Sequence, residues 1–419
     1  MNVYEAARKR IEWCLNEFDY CYVSFSGGKD SGVLLEMTAE VAASIGKRWG
    51  IFHMDYEAQY QMTTDYVYDT IERYKDVADI YHVCVPFKVQ TCTSMFQDHW
   101  RPWDAEMRHL WVRKMPEWAM TVDKFPFYRK NQWDYDFQER FGEWLCESHG
   151  NVCCFVGIRT GESLNRWRTI HAERENRRNY KGMNWTTEIK KCVAAYPIYD
   201  FQLEDVWTAN ARNRWNYNRI YDMLYLAGVP LHKMRVASPF IDSGQESLKL
   251  YKVIDPDTWG RMVGRVNGVN FAGLYGGTTV MGWKAITKPE HFTWKQYMYF
   301  LLDTLPEDTR NNYLRKLETS IKFWREKGGC LSDDTIKELN DEGADIQVMD
   351  DTNYKTNKRP VRMEYLDDTE SKAFKEIPTY KRMCVCIMKN DHLCKYMGFS
   401  LTKNEMERRK AIQQKYANL

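Results

Sequence analysis

The sequence predicts an α/β fold, a parallel sheet with helices on both faces, followed by a mainly helical C-terminal part. Three observations support this. Short apolar runs alternate with amphipathic helical stretches up to about residue 158. A glycine-rich turn, SGGKDS, follows the first apolar run directly. From about residue 285 the apolar runs give way to helical periodicity alone. Alternation of this kind is the pattern of strands that pair in parallel and are covered by their crossover helices. A chain of 419 residues has room for two or more domains. The expected division is an α/β domain over residues 1–285, with a tryptophan-rich insertion at about 88–132, and a helical domain over 286–419.

Each element has its own signal. Residues 3–18 place Val3, Ala6, Ala7, Ile11, Cys14, Leu15 and Phe18 on one helical stripe. YCYVSF (20–25) reads as a buried strand, and residues 30–46 as a helix that stops at Gly46. WGIFHM (49–54) is a second strand, TTDYVYDTIERY (63–74) a second helix, and DIYHVCVPF (79–87) a third strand. The insertion that follows is rich in Trp and Pro, and a connection this long is usually functional or a small subdomain. A helix over about 134–149 then leads into a further strand, NVCCFVGI (151–158). Residues 197–230 read as two helices separated by a turn. Beyond 285, WKQYMYFLLDTL and NNYLRKLETSIKFWREKGG are helical, and 332–358 is a polar stretch. There is no internal repeat and no low-complexity tract.

Composition removes several functional classes. Hydrophobic content of 44% with 28% charged residues is that of a soluble globular protein. No apolar run approaches the roughly 20 residues of a membrane span, and MNVYEAARKR lacks the apolar core of a signal peptide. The 12 cysteines are scattered rather than set in a dense framework, so reduced thiols and a cytoplasmic location are expected. A formal net charge of +2 gives no global argument for nucleic acid. The segment 159–178 is a local exception, with six arginines diluted by Glu173 and Glu175. It reads either as an extended nucleic-acid contact or as a solvated helix face.

The turn after the first strand carries the chemistry. It is not a Walker A loop, because Val23 stands where that motif needs glycine and Asp30 where it needs Ser or Thr. It is not GxGxxG either. Successive small residues between a strand and a helix let backbone N–H groups converge on one anion, and the helix N-terminus adds its positive end. Gly27 and Gly28 permit close approach, Ser26 and Ser31 offer hydroxyls, and Lys29 supplies a cation. Asp30 is expected either to hold Mg²⁺ or to cap the helix. A pyrophosphate group suits such a pocket; a plain strand-to-helix turn is the alternative. Past the strand at 151–158, Arg159 and Arg166 stand on the edge where α/β sheets bind ligands, and arginine forks suit phosphate or sulfate. Glu162 orients an arginine or caps a helix.

These residues resemble a known family. SGGKDS after a strand is similar to the signature of the PP-loop ATP pyrophosphatases, the group that includes PAPS reductases, the ATP sulfurylase small subunit and tRNA-thiolation enzymes. GIRTGESLNRWR (157–168) resembles the G-x-R-x-x-E-S-x-x-R segment of the PAPS-reductase branch, with Gly157, Arg159, Glu162 and Arg166 at the matching positions. YPIYDFQLEDVW followed by YNRIYDMLYLAGVP resembles a third segment of that branch, and together the matches span roughly residues 20–230. The whole chain is similar to a bacterial and phage subfamily of PAPS-reductase-like proteins, often encoded beside a ParB-like partner, one of which has been called an immunoglobulin-binding regulator. The resemblance implies an adenine nucleotide alpha hydrolase-like fold and ATP with Mg²⁺ at the loop. It also implies that Asp55, in HMDYEAQY, lies beside the nucleotide and accepts from ribose; a turn-forming aspartate is the alternative.

One departure matters. PAPS reductases carry a nucleophilic cysteine in a C-terminal E-C-G-L-H-type motif, whereas here VPLHKMRVASPF follows Gly228 and no cysteine appears until Cys330. Paired cysteines for an iron–sulfur cluster are also missing, since Cys153 and Cys154 lie inside an apolar run. Cys384, Cys386, His392 and Cys394 give a C-x-C-x5-H-x-C pattern, read either as a Zn²⁺ site or as buried thiols beside a surface histidine. KNEMERRKAIQQKY, near the C-terminus, reads as a basic helix. The expected reaction is cleavage of ATP between the α- and β-phosphates to adenylate an acceptor, a nucleic acid or a small molecule, as a step toward sulfur transfer in one version. Lys29, Asp30, Arg159 and Arg166 are the expected catalytic groups, and no general base is assigned between His53 and His171. Two other readings stay open. One is a sulfonucleotide-handling enzyme that uses an external thiol. The other is a nucleotide-sensing regulator, working with a ParB-like partner and doing no chemistry.

Overall fold

A computed structural model describes residues 2–171, 179–236, 238–241, 244, 248–275, 286, 288–350 and 357–399. The chain separates into two compact units: 1–89 with 99–239 and 250–266, and 90–98 with 240–249 and 267–419.

In the first unit, α1 (Val3–Glu17) buries Ala7, Ile11, Cys14 and Leu15, the stripe read from the sequence. Asn2 caps it by accepting from the Glu5 N–H. The strands are β1 (Tyr20–Ser24), β2 (Trp49–Met54), β3 (Ala78–Val83), β4 (Val152–Val156), β5 (Thr186–Ile189) and β6 (Cys192–Ala195). They form one sheet in the order β3-β2-β1-β4-β6-β5. β1 pairs in parallel with β2 and β4, placing Val23 opposite both Ile51 and Phe155. β2 and β3 are also parallel, as are β4 and β6; only the edge strand β5 runs antiparallel. The central strands are buried on both faces, which is why their sequences are continuous apolar runs rather than alternating ones.

The crossovers are α2 (Lys29–Ile45), α3 (Gln61–Tyr74) and α4 (Asp134–His149). α2 ends at Gly46 in the left-handed conformation, φ 66°, as a C-terminal glycine should. α5 (Leu164–His171), α6 (Leu203–Asn213) and α7 (Ile220–Leu226) follow, then α8 (Pro256–Arg265). Residues 172–178, the second half of the arginine-rich segment, lie outside the described residues.

The second unit holds α9 (Trp294–Asp303), α10 (Glu307–Glu326), α11 (Asp333–Asp341) and α12 (Tyr380–Met388). Within this helical part is a small antiparallel sheet of β7 (Gly329–Leu331), β8 (Ile346–Val348) and β9 (Arg359–Met363), with β9 central. The basic stretch 403–416 lies outside the described residues. No helix among the described residues is long and apolar enough to cross a membrane.

Candidate active site

The turn between β1 and α2 is built by backbone geometry first. Gly27 takes φ +75°, and a Cβ there would stand 2.9 Å from Val67 Cγ2, so only glycine fits. Asn218 Nδ2 holds the turn from outside, donating to the Gly27 carbonyl and to Thr63 Oγ1, each at 2.9 Å. Ser31 Oγ donates to the Gly28 carbonyl (3.1 Å), accepts from the Ser26 N–H (3.2 Å) and lies 3.0 Å from Ser26 Oγ. Gly28 is the N-cap of α2 and makes no side-chain cap bond. The N–H groups of Asp30 and Ser31 fall in the first turn of α2, where helix geometry gives them no intrahelical partner. The Lys29 N–H instead donates to Tyr221 Oη at 3.0 Å.

On this frame sits an ion cluster. Lys29 Nζ is 2.9 Å from Asp30 Oδ2, and Arg159 Nε donates to Asp30 Oδ1 at 2.5 Å. Two cations share one carboxylate, so the cluster carries one net positive charge at the N-terminus of α2. Lys29 and Arg159 are 6% and 5% exposed, and a surplus charge so far out of water attracts an anion strongly. Gly157, after β4, brings its backbone against the same turn: a Cβ there would meet the Ser31 nitrogen at 3.0 Å. Ser26, Gly27, Gly28, Lys29, Asp30, Ser31, Gly157 and Arg159 are therefore gathered in one place.

Asp30 sits between the two cations. It makes no cap hydrogen bond, and Lys29 and Arg159 each take one of its oxygens. Arg166 and Glu162 form their own pair at 2.5 Å, and Arg235 Nε stands 3.7 Å from Glu162. No described contact joins Arg166 to the turn.

Asp55, expected beside the ribose, sits among protein partners. It is completely buried, Oδ2 accepts from His82 Nε2 at 2.9 Å, and Oδ1 accepts from the Glu57 N–H at 2.8 Å and from Arg113. Three of its roughly four acceptor sites are taken by protein groups. Burial alone pushes its carboxyl upward, but Arg113 and His82 outweigh burial and hold it well below the usual range. Beside it, burial and the neighbouring His82 lower the His53 imidazole to about 4, while His53 Nδ1 donates to the Phe25 carbonyl at 2.7 Å. The ligand atoms of His53, Asp55 and His82 lie within 4.8 Å of one another, yet the Arg113 guanidinium already neutralises the carboxylate.

The Zn²⁺ reading of the C-terminal cysteines is not supported. Cys384 and Cys386 both lie on α12, where residues two apart point to nearly opposite sides. Cys384 Sγ faces the Trp294 carbonyl at 3.6 Å, and His392 Nε2 donates to the Ser94 carbonyl at 3.0 Å. All four residues are buried, including the histidine expected at the surface. Among the described residues, no three of these four bring ligand atoms within 4.8 Å of one another.

Sequence reasoning gave no role to Tyr221, Asn218 or Arg113. The first two lie in YNRIYD, a segment singled out only as a family match. Arg113 carried no signal, being 58 residues from the aspartate it pairs with.

Comparison with known proteins places the chain among relatives. Residues 20–227 match the phosphoadenosine phosphosulfate reductase domain, and residues 228–408 match a domain of unknown function, DUF3440. Uncharacterized protein YbdN of Escherichia coli (strain K12) is 34% identical over 411 residues, covering 97% of this chain and 92% of YbdN. Solved structures with a similar fold are more distant. PAPS reductase from Candida auris is 13% identical with a TM-score of 0.29, over 52% of this chain and 84% of its own. FMN adenylyltransferase of Candida glabrata in complex with ATP is 12% identical with a TM-score of 0.30, over 52% and 57%. The U34-tRNA thiolase NcsA from Methanococcus maripaludis is 9% identical with a TM-score of 0.28, over 69% and 86%. Likeness at that level carries no argument about reaction or ligand. The relationship to YbdN over nearly the whole chain is what decides: the chain belongs to the same family as YbdN, with a phosphoadenosine phosphosulfate reductase domain over residues 20–227.

Proposed function

We propose that the chain is an ATP-using enzyme that cleaves the bond between the α- and β-phosphates and adenylates an acceptor. The observation that carries this reading is the buried Lys29–Asp30–Arg159 cluster, with its surplus positive charge at the N-terminus of α2. Lys29 has three N–H donors and spends one on Asp30; Arg159 has five and spends its Nε. The remaining donors, with the N–H groups of Asp30 and Ser31, suit the oxygens of a polyphosphate. In the proposed step an acceptor oxygen attacks the α-phosphorus, the bond to the bridging oxygen breaks, and pyrophosphate leaves. Lys29 and Arg159 then stabilise the negative charge that grows on the leaving group.

The test uses the full chain, ATP labelled at the α-phosphate and a panel of acceptors spanning nucleic acids and small metabolites. Pyrophosphate release with label transferred to one acceptor is expected. Lys29→Ala should lower that rate by about 10²–10³, the usual cost of removing one donor to developing charge. Tight ATP binding with no pyrophosphate under any acceptor would contradict the enzyme reading and favour a nucleotide-sensing regulator.

A second reading is favoured by the domain match over 20–227. Arginine and helix N–H groups accept a sulfonucleotide as readily as ATP, and an external thiol would supply the electrons that no cysteine near the loop provides. Sulfite release from phosphoadenosine phosphosulfate in the presence of a dithiol reductant would establish it.

A further inference from the structure

Two cysteines at the far end of the sheet form a site that the nucleotide chemistry does not use. Gly142 and Cys146 are four residues apart on α4 and so share one face. A Cβ at Gly142 would stand 3.2 Å from Cys192 Cβ and 3.3 Å from its Sγ, so the helix backbone passes directly over Cys192 at the start of β6. One turn further on along that face, the Cys146 thiol donates to the Lys191 carbonyl at 3.5 Å, beside Cys192. Cys192 is buried and Cys146 is half-exposed. A polar cavity of about 210 Å³ beside Cys192 is lined by Lys190, Lys191 and Glu188 among others.

We propose that Cys146 and Cys192 are a peroxide-oxidisable dithiol, a modification site at the end of the sheet opposite the phosphate loop. Cys192 opens β6, level with the start of β1, whereas the loop follows the end of β1. The pair therefore does not supply a thiol to the bound nucleotide. Its asymmetry suits stepwise oxidation. The neighbouring Cys192 lowers the Cys146 thiol to about 7 against the opposing effect of burial, helped by the Val152 backbone and the Lys191 charge. Lys190 is held by Glu139 and Glu143, each at 3.2 Å, so Lys191 is the cation left to act on Cys146.

The Cys146 thiolate attacks one oxygen of hydrogen peroxide. The S–O bond forms as the O–O bond breaks, and the departing hydroxide takes a proton to become water. The Cys192 thiol then attacks that sulfur, the S–S bond forms, and the sulfenic oxygen leaves as a second water. The two thiols lose two electrons, and one peroxide becomes two waters. Cys14, Cys21 and Cys153, also in this unit, are buried and lack such access.

The experiment treats the reduced full chain with hydrogen peroxide, alkylates the remaining thiols and maps the peptides. Cleavage after Glu147 separates Cys146 from Cys153 and Cys154. A Cys146–Cys192 disulfide that a dithiol reductant reverses is expected. Cys192→Ser should block the disulfide and leave a sulfenic acid at Cys146 that dimedone traps. Cys146→Ser, at the more exposed position, should block both products. Cys146 and Cys192 both fully alkylated after treatment, or Cys146 joined to Cys154 instead, would overturn the proposal.

Discussion

Gly27 has two separate reasons to be glycine, a left-handed φ of +75° and a Cβ position 2.9 Å from Val67 Cγ2. Gly27→Ala should therefore cost about 2–4 kcal/mol, the sum of backbone strain and overpacking, read from urea unfolding. A loss below about 0.5 kcal/mol would show that the turn is not held as described. His53 makes a prediction about pH. Its imidazole is lowered from 6.5 to about 4 by burial and His82, so the folded state resists the proton that the unfolded chain accepts. Stability from this group is complete above about pH 6.5 and is lost as the pH falls toward 4, by about 3 kcal/mol in all. His53→Asn, whose amide can still donate to the Phe25 carbonyl, should flatten the unfolding free energy over that window. An unchanged slope would contradict the assignment. Asp55 adds loss in the same direction at lower pH, because its depressed carboxyl also favours the deprotonated folded state. The loop residues were legible in the sequence because a phosphate turn is local: strand, small residues, cation and helix are contiguous. The surroundings of Asp55 were not, because they depend on His82 and on Arg113 from the insertion.

At the scale of elements, the loop depends on the segment that begins α7 as much as on its own sequence. Asn218 and Tyr221 reach the Gly27 carbonyl and the Lys29 N–H from about 190 residues away in sequence. Tyr221→Phe removes the acceptor for the Lys29 N–H and should weaken ATP binding by about tenfold, roughly the 1–2 kcal/mol of a buried hydrogen bond. Unaltered binding, measured by calorimetry, would show that Tyr221 does not position the loop. The strands β1 to β4 were legible as apolar runs, since a strand covered on both faces needs apolar residues throughout. β5 and β6 were not. TTEI is half-exposed at the edge of the sheet, and CVAA is too short to stand out beside the proline that follows. The Cys/His pattern misled for a related reason. C-x-C suggests adjacent ligands in an extended segment, but α12 turns the two thiols apart.

For the whole molecule, the division into units does not follow the order of the chain. Residues 90–98 and 240–249 belong with 267–419, and buried His392 donates to the Ser94 carbonyl within that unit. Thr93 Oγ1 donates to the Asn267 carbonyl, and the Cys92 N–H to the Phe240 carbonyl, on the same pattern. A fragment comprising only 286–419 lacks these partners, so it should show no cooperative thermal transition by circular dichroism; a sharp transition would contradict the assignment. The change to helical periodicity near 285 was legible, but excursions of ten residues that complete a distant core leave no periodic trace. The central claim is that the cluster at the start of α2 binds the polyphosphate of ATP. Calorimetric titration of the wild type and Lys29→Ala with ATP and with AMP tests it most directly. The wild type should bind ATP at least about tenfold more tightly than AMP, and Lys29→Ala should lose that preference. Equal affinity for ATP and AMP in the wild type, or an undiminished preference in Lys29→Ala, would contradict it.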